Sequence, residues 1–87
     1  MAEVLLTLKI MPASADSDLE VISEGLKSIY SGRFNSVQKE PIGFGIVALK
    51  VGFVVTEEEG ASERLEEEIK KIEGVGEVEV TASHRLI

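Results

Sequence analysis

Few residues of this chain could carry chemistry. The one histidine, His84, is followed at once by Arg85 close to the end of the sequence. An imidazole titrates near neutrality and can take or give a proton. No Ser-His-Asp spacing surrounds it, however. A metal site would need several ligands from ordered elements. Only Asp16, Asp18 and the glutamates at 57–59 are on offer. The chain has no cysteine, which excludes disulfides, thiolate metal sites and thiol catalysis. The run Gly43-Phe44-Gly45 lacks the spacing of a phosphate-binding loop and does not lead into a helix. Covalent catalysis and a bound cofactor are therefore not expected, and a contact surface is.

Two features could build that surface. The first is Phe44, which stands between Gly43 and Gly45 and has little neighbouring side chain to pack against. Glycine costs a strand roughly 0.5–1 kcal/mol relative to alanine. A chain that accepts such a weakness on both sides of one aromatic presents Phe44 as a contact tip. The plain alternative is a bulge or tight turn with Phe44 folded back into the core. The second feature is the tail Ser83-His84-Arg85-Leu86-Ile87, which ends an acidic chain on a cation. The guanidinium of Arg85 is a permanent charge with a donor fork suited to carboxylate or phosphate. Its plain alternative is a solubilising terminal charge, with Leu86 and Ile87 tucked onto a sheet edge.

The elements that must position these residues follow from periodicity. From Glu3 to Met11, Val4, Leu6, Leu8 and Ile10 alternate with Leu5, Thr7, Lys9 and Met11, as in a strand, and Pro12 ends it. After a polar loop at Ala13–Asp16, Ser17-Asp18-Leu19-Glu20 reads as a capping box with Ser17 as the cap. Leu19, Ile22, Leu26 and Ile29 form one narrow helical stripe, which Gly32 closes. Ser36–Ile42 is a weaker strand, and Pro41 argues for an edge position. The chain turns back at Gly43-Phe44-Gly45 as a hairpin or bent ribbon. Ile46–Val55 is the strongest strand, with Val47, Leu49, Val51, Phe53 and Val55 on its core face.

After an acidic loop at Thr56–Ala61, Ser62 is the expected cap of a second helix. Leu65, Ile69 and Ile72 make its stripe. Glu66 with Lys70 and Glu67 with Lys71 are spaced as i,i+4 pairs. Gly74 ends the helix, and Val75–Ser83 alternates again as a last strand. The order strand-helix-strand, twice over, predicts an α+β fold. It is the ferredoxin-like βαββαβ two-layer sandwich, a four-stranded antiparallel sheet with two helices on one face.

Composition bounds the rest. The 87 residues, 44% of them apolar, suit one small domain spanning 1–87. A domain this short buries only about 60–65% of its unfolded surface. Met1-Ala2-Glu3-Val4 carries no basic leader, and the lack of cysteine favours the cytoplasm. No apolar run approaches the ~18–20 residues of a membrane span, so no membrane partner is expected. A net charge of −7 opposes direct nucleic-acid binding and fits a partner with a basic surface. Seven glutamates lie between Glu57 and Glu68, and their plain reading is a solvated loop and helix face.

Three stretches carry a resemblance that spans the whole chain. They are the opening strand ending Ile10-Met11-Pro12, the run Glu40-Pro41-Ile42-Gly43-Phe44-Gly45-Ile46-Val47-Ala48-Leu49, and the close from Ile72-Glu73-Gly74-Val75 to Val78-Glu79-Val80 with its short basic tail. Together they resemble the archaeal form of translation elongation factor 1-beta. The resemblance implies a guanine nucleotide exchange factor for elongation factor 1-alpha, the GTPase that brings aminoacyl-tRNA to the ribosome. GDP, GTP and magnesium would be bound by that partner. It implies that Phe44, in its Gly43–Gly45 corner, inserts into the partner. It implies that a basic residue near the C-terminus approaches the magnesium and phosphate site. Eukaryotic relatives use a lysine next to the last residue; the match here is Arg85, with two residues after it. A planar guanidinium mimics a metal ion less well than a compact ammonium. Arg85 then either displaces magnesium or pairs with a partner carboxylate or phosphate, with His84 able to share the task. The competing expectation is a ferredoxin-like regulatory module that binds a small molecule or dimerises. That reading requires Phe44 to be buried or in a self-interface, and the tail to be dispensable.

Overall fold

The computed structural model describes residues 2–86. The elements run β1 (Glu3–Pro12), α1 (Leu19–Lys27), β2 (Arg33–Gly43), β3 (Ile46–Thr56), α2 (Ala61–Lys70) and β4 (Val75–Arg85). The four strands form one sheet in the order β2-β3-β1-β4, with every neighbouring pair antiparallel. This is the expected ferredoxin-like sandwich. Pro41 lies on the edge strand β2, where a missing amide costs no ladder bond on the open side.

The core lies where the alternating strand faces meet the two helical stripes. Leu8, Ile10, Leu49, Val51 and Phe53 from the sheet close against Ile22 and Leu26 of α1 and Leu65 and Ile69 of α2, all essentially without solvent contact. Phe34 of β2 meets Phe53 edge to face, with ring centroids 5.7 Å apart and planes at 80°. That geometry sets the positive edge of one ring against the negative face of the other. The core face of β3 is as expected except that Val47 is only half-buried. Its second face is also buried, at Ala48, Gly52 and Val54. β3 is an inner strand, and longer side chains of β1 and β2 reach over its small residues. A Cβ on Gly52 would meet Ser36 Oγ at 3.0 Å and Leu5 Cδ1 at 3.5 Å.

Several boundaries differ from the expectations. Asp18, not Ser17, caps α1, its Oδ1 accepting from the Glu20 amide at 2.9 Å. Ser17 Oγ accepts instead from the Ser14 amide within the preceding loop. α1 ends at Lys27 with Ser28 as its cap, so Ile29 and Gly32 fall beyond it, although Ile29 still packs on the core. α2 begins at Ala61 on Gly60, whose left-handed φ of +82 makes the entry, and Ser62 lies inside the helix. Entering one residue early buries Ala61 against the core. β2 starts at Arg33, three residues ahead of Ser36, because a bulge between Phe34 and Ser36 restores its register opposite Gly52. β4 runs on through His84 and Arg85. Among the described residues, neither Glu66 with Lys70 nor Glu67 with Lys71 forms an ion pair.

Candidate functional site

Phe44 is the tip of the β2–β3 hairpin and is fully exposed, at 101%. Gly43 pairs with Ile46, so Phe44 and Gly45 are the two central turn residues. Their φ angles are +55 and +74. Positive φ at both positions is the requirement of the type I′ turn, whose twist matches that of the strands it joins. Asn or Gly normally fills the first position. A phenylalanine there carries left-handed strain of about 1–2 kcal/mol. A Cβ on either flanking glycine would touch nothing within 4 Å, so only backbone geometry calls for glycine at these positions. The hairpin thus holds a strained, wholly exposed aromatic that contributes nothing to the chain's own core.

The tail lies at the other end of the sheet. In the β1–β4 pairing His84 stands opposite Leu5, and Arg85 stands opposite Val4. Adjacent strand residues point to opposite faces. Arg85 therefore shares the helix-side face with Val4, while His84 lies on the open face with Leu5. The two are not brought to one surface. Arg85 Nε lies 3.0 Å from Glu57 Oε2, an exposed ion pair at the end of β3. The Leu86 amide donates to the Glu3 carbonyl at 2.8 Å, which ties the tail to the inner strand β1. Leu86 is still 39% exposed, and Ile87 lies outside the described residues.

Phe44 and Arg85 are far apart. Val4 is level with both Arg85 and Val55. From Val55 to Ile46 β3 advances nine residues, so at about 3.3 Å per residue the two sites stand about 30 Å apart. The molecule's longest dimension is 41 Å. Among the described residues no three of His, Cys, Asp and Glu cluster in a way that would hold a metal ion. No helix is long and apolar enough to cross a membrane among these residues.

The model of the EF-1 guanine nucleotide exchange domain matches residues 5–86, nearly the whole chain. The chain belongs to this family. Relatives agree over their full length. An elongation factor 1-beta from Methanobrevibacter smithii is 40% identical over 89 residues, covering 100% of each chain. The proteins of the same name from Methanosphaera stadtmanae and Methanothermobacter thermautotrophicus are 41% and 43% identical, again over 100% of each chain. Among solved structures, the C-terminal domain of the MgtC protein from Mycobacterium tuberculosis aligns with a TM-score of 0.55 over 97% of this chain and 87% of that one. Its sequence identity is 15%, so this likeness speaks for the fold alone. Membership in the exchange-domain family makes this chain a guanine nucleotide exchange factor of translation elongation.

One part of the surface escaped the sequence reading. Glu68 lies in the acidic run and looks like another solvated helix residue. In the fold its carboxylate accepts from the amides of Tyr30 at 3.0 Å and Ser31 at 2.9 Å, and from the Ser31 hydroxyl. The Ser31 hydroxyl bond is the main cause that holds the Glu68 carboxyl below its ordinary value; the two amides and Lys71 add to it, and partial burial opposes it. Nothing in local periodicity could point to a bond across 37 residues.

Proposed function

We propose that this chain docks on elongation factor 1-alpha through Phe44, in its Gly43–Gly45 turn. Arg85 then works at the nucleotide site of that partner, promoting release of GDP and entry of GTP. The observation that carries the proposal is the Phe44 tip, fully exposed at a φ of +55. Strain held at one residue with no intramolecular return marks a position shaped for something outside the chain. An aromatic anchor in a partner pocket is how such interfaces gain their energy.

The remaining steps follow from linkage. A factor that binds the nucleotide-free GTPase more tightly than the loaded one must lower nucleotide affinity by the same factor. It therefore needs one contact that holds both states and one that favours the empty state. Phe44 suits the first role. Arg85 suits the second, because a guanidinium near the phosphates can pair with a carboxylate or phosphate that otherwise serves the nucleotide and its magnesium. Arg85 must first leave Glu57. Exposed pairs are worth about 0.2–1 kcal/mol, so that release opposes engagement only slightly. His84, on the open face, contributes from the flank. The chain forms and breaks no covalent bond and holds no cofactor; nucleotide and magnesium stay with the partner, in the cytoplasm. Residues 1–87 act as one exchange domain, without direct contact to nucleic acid.

A regulatory module with Phe44 buried in its own core does not fit the complete exposure of that ring, and the match to the exchange-domain family favours exchange over a regulatory module. The test is the release rate of a fluorescent GDP analogue from elongation factor 1-alpha of the same source. Catalytic amounts of the chain are expected to accelerate release strongly. A folded chain that leaves the rate unchanged would overturn the proposal.

A further inference from the structure

The end of the sheet that carries Arg85 also carries the other two arginines. Arg33 begins β2, level with Val54. Arg64 lies in the first turns of α2. Each has its own glutamate: Arg33 Nη1 lies 3.3 Å from Glu3 Oε2, and Arg64 Nη2 lies 2.9 Å from Glu58 Oε1. All of these pairs are exposed, so the guanidiniums exchange readily to carboxylates outside the chain. On a chain of net charge −7, this is where the forked donors gather.

Between them lies an open groove of about 730 Å³. Phe34, Val54 and Val55 help to line it, and Lys27, Arg33 and Arg64 are among its cations. Tyr30 stands at its edge, 95% exposed. Exposure alone would say little. Here, however, the α1–β2 loop that presents Tyr30 is pinned by three hydrogen bonds to one carboxylate of α2, Glu68. A loop so fixed offers its side chain with less ordering left to do on binding. Tyrosine on a rigid mount, with an apolar ring and a polar tip, is the kind of residue that anchors interfaces.

We infer that the Tyr30 groove is a second docking surface for elongation factor 1-alpha. It would receive an apolar recess of the partner flanked by carboxylates that take over Arg33 and Arg64. This rests on the exchange reading above. Arg33 and Arg85 occupy opposite edges of the sheet at the same end, three strand spacings or roughly 14 Å apart. Arg33, level with Val54, Leu5 and His84, lies on the open face, whereas Arg85 lies on the helix-side face. A partner surface that wraps this end of the sheet would meet Arg85 and the Tyr30 groove together. Glu68 acts as a positioning residue through Tyr30.

The experiment titrates nucleotide-free elongation factor 1-alpha with the wild-type chain and with Tyr30→Ala, Tyr30→Phe, Glu68→Ala and the double variant, and follows GDP-analogue release in parallel. Melting curves check that each variant is folded. Tyr30→Ala is expected to weaken affinity about tenfold, and Tyr30→Phe to restore most of it. Glu68→Ala should weaken binding in the wild-type background and add nothing once Tyr30 is alanine, a coupling that a merely structural carboxylate would not show. If Tyr30→Ala binds as wild type while the wild type accelerates release, the groove is not part of the interface and the exchange reading stands. If the wild type neither binds nor accelerates, both fall together.

Discussion

At Phe44 the contact role proposed for the ring runs against the stability of the chain. Its backbone is left-handed and its ring is wholly in solvent. Neither property helps this chain fold. Asparagine tolerates positive φ, and Asn-Gly is the preferred pair for a type I′ turn. Phe44→Asn is therefore expected to stabilise the protein by about 1 kcal/mol, raising the melting temperature by about 4–8 °C for a domain of this size. The same variant should lose its affinity for the GTPase. A melt together with a release assay reads both effects. A variant that is less stable than wild type would mean that the ring supports the hairpin, contrary to its complete exposure. Phe44 was legible in the sequence because two glycines isolate it. Tyr30 was not, since its presentation depends on a carboxylate 38 residues away.

At the scale of elements, the strands of β1, β3 and β4 and the stripes of both helices were legible because burial imposes periods of two and 3.6 on the residues. The helix starts were not. Ser17 and Asp18 both suit a cap, as do Ser62 and Gly60, and local preference does not choose between neighbours that differ by a few tenths of a kcal/mol. Tertiary packing decides, as the burial of Ala61 shows. The early part of β2 was hidden for another reason: a bulge beside Asn35 breaks the alternation. The link from Glu68 to the α1–β2 loop gives this scale its own prediction. A carboxyl held below its ordinary value in the fold stabilises the protein above that value and loses the contribution as the pH falls through the lowered one. Glu68→Gln should therefore cost about 1 kcal/mol at neutral pH, discounted for solvent screening. The gap to wild type should shrink as the pH drops below the ordinary value, near 4.5, and then close. Denaturant melts of both proteins across pH 3–8 check this, and a gap that stays constant with pH would contradict it.

At the scale of the whole molecule, the sheet acts as a strut. The stiffness of four paired strands holds Phe44 and Arg85 about 30 Å apart, as nine residues of β3 at about 3.3 Å each require. Under the proposed function, a partner that meets both ends must offer a surface of that length, and the two contacts would fall on separate parts of the GTPase. That separation would let one end govern binding and the other govern release. The measurement that tests it most directly is the rate of GDP-analogue release as a function of exchange-factor concentration, for wild type, Phe44→Ala and Arg85→Ala. Phe44→Ala is expected to raise the half-saturating concentration at least about tenfold while the plateau rate survives. Arg85→Ala is expected to lower the plateau about tenfold or more while half-saturation barely moves. If both variants shift the same parameter, or neither shifts any, the division of labour between the two ends of the sheet is wrong.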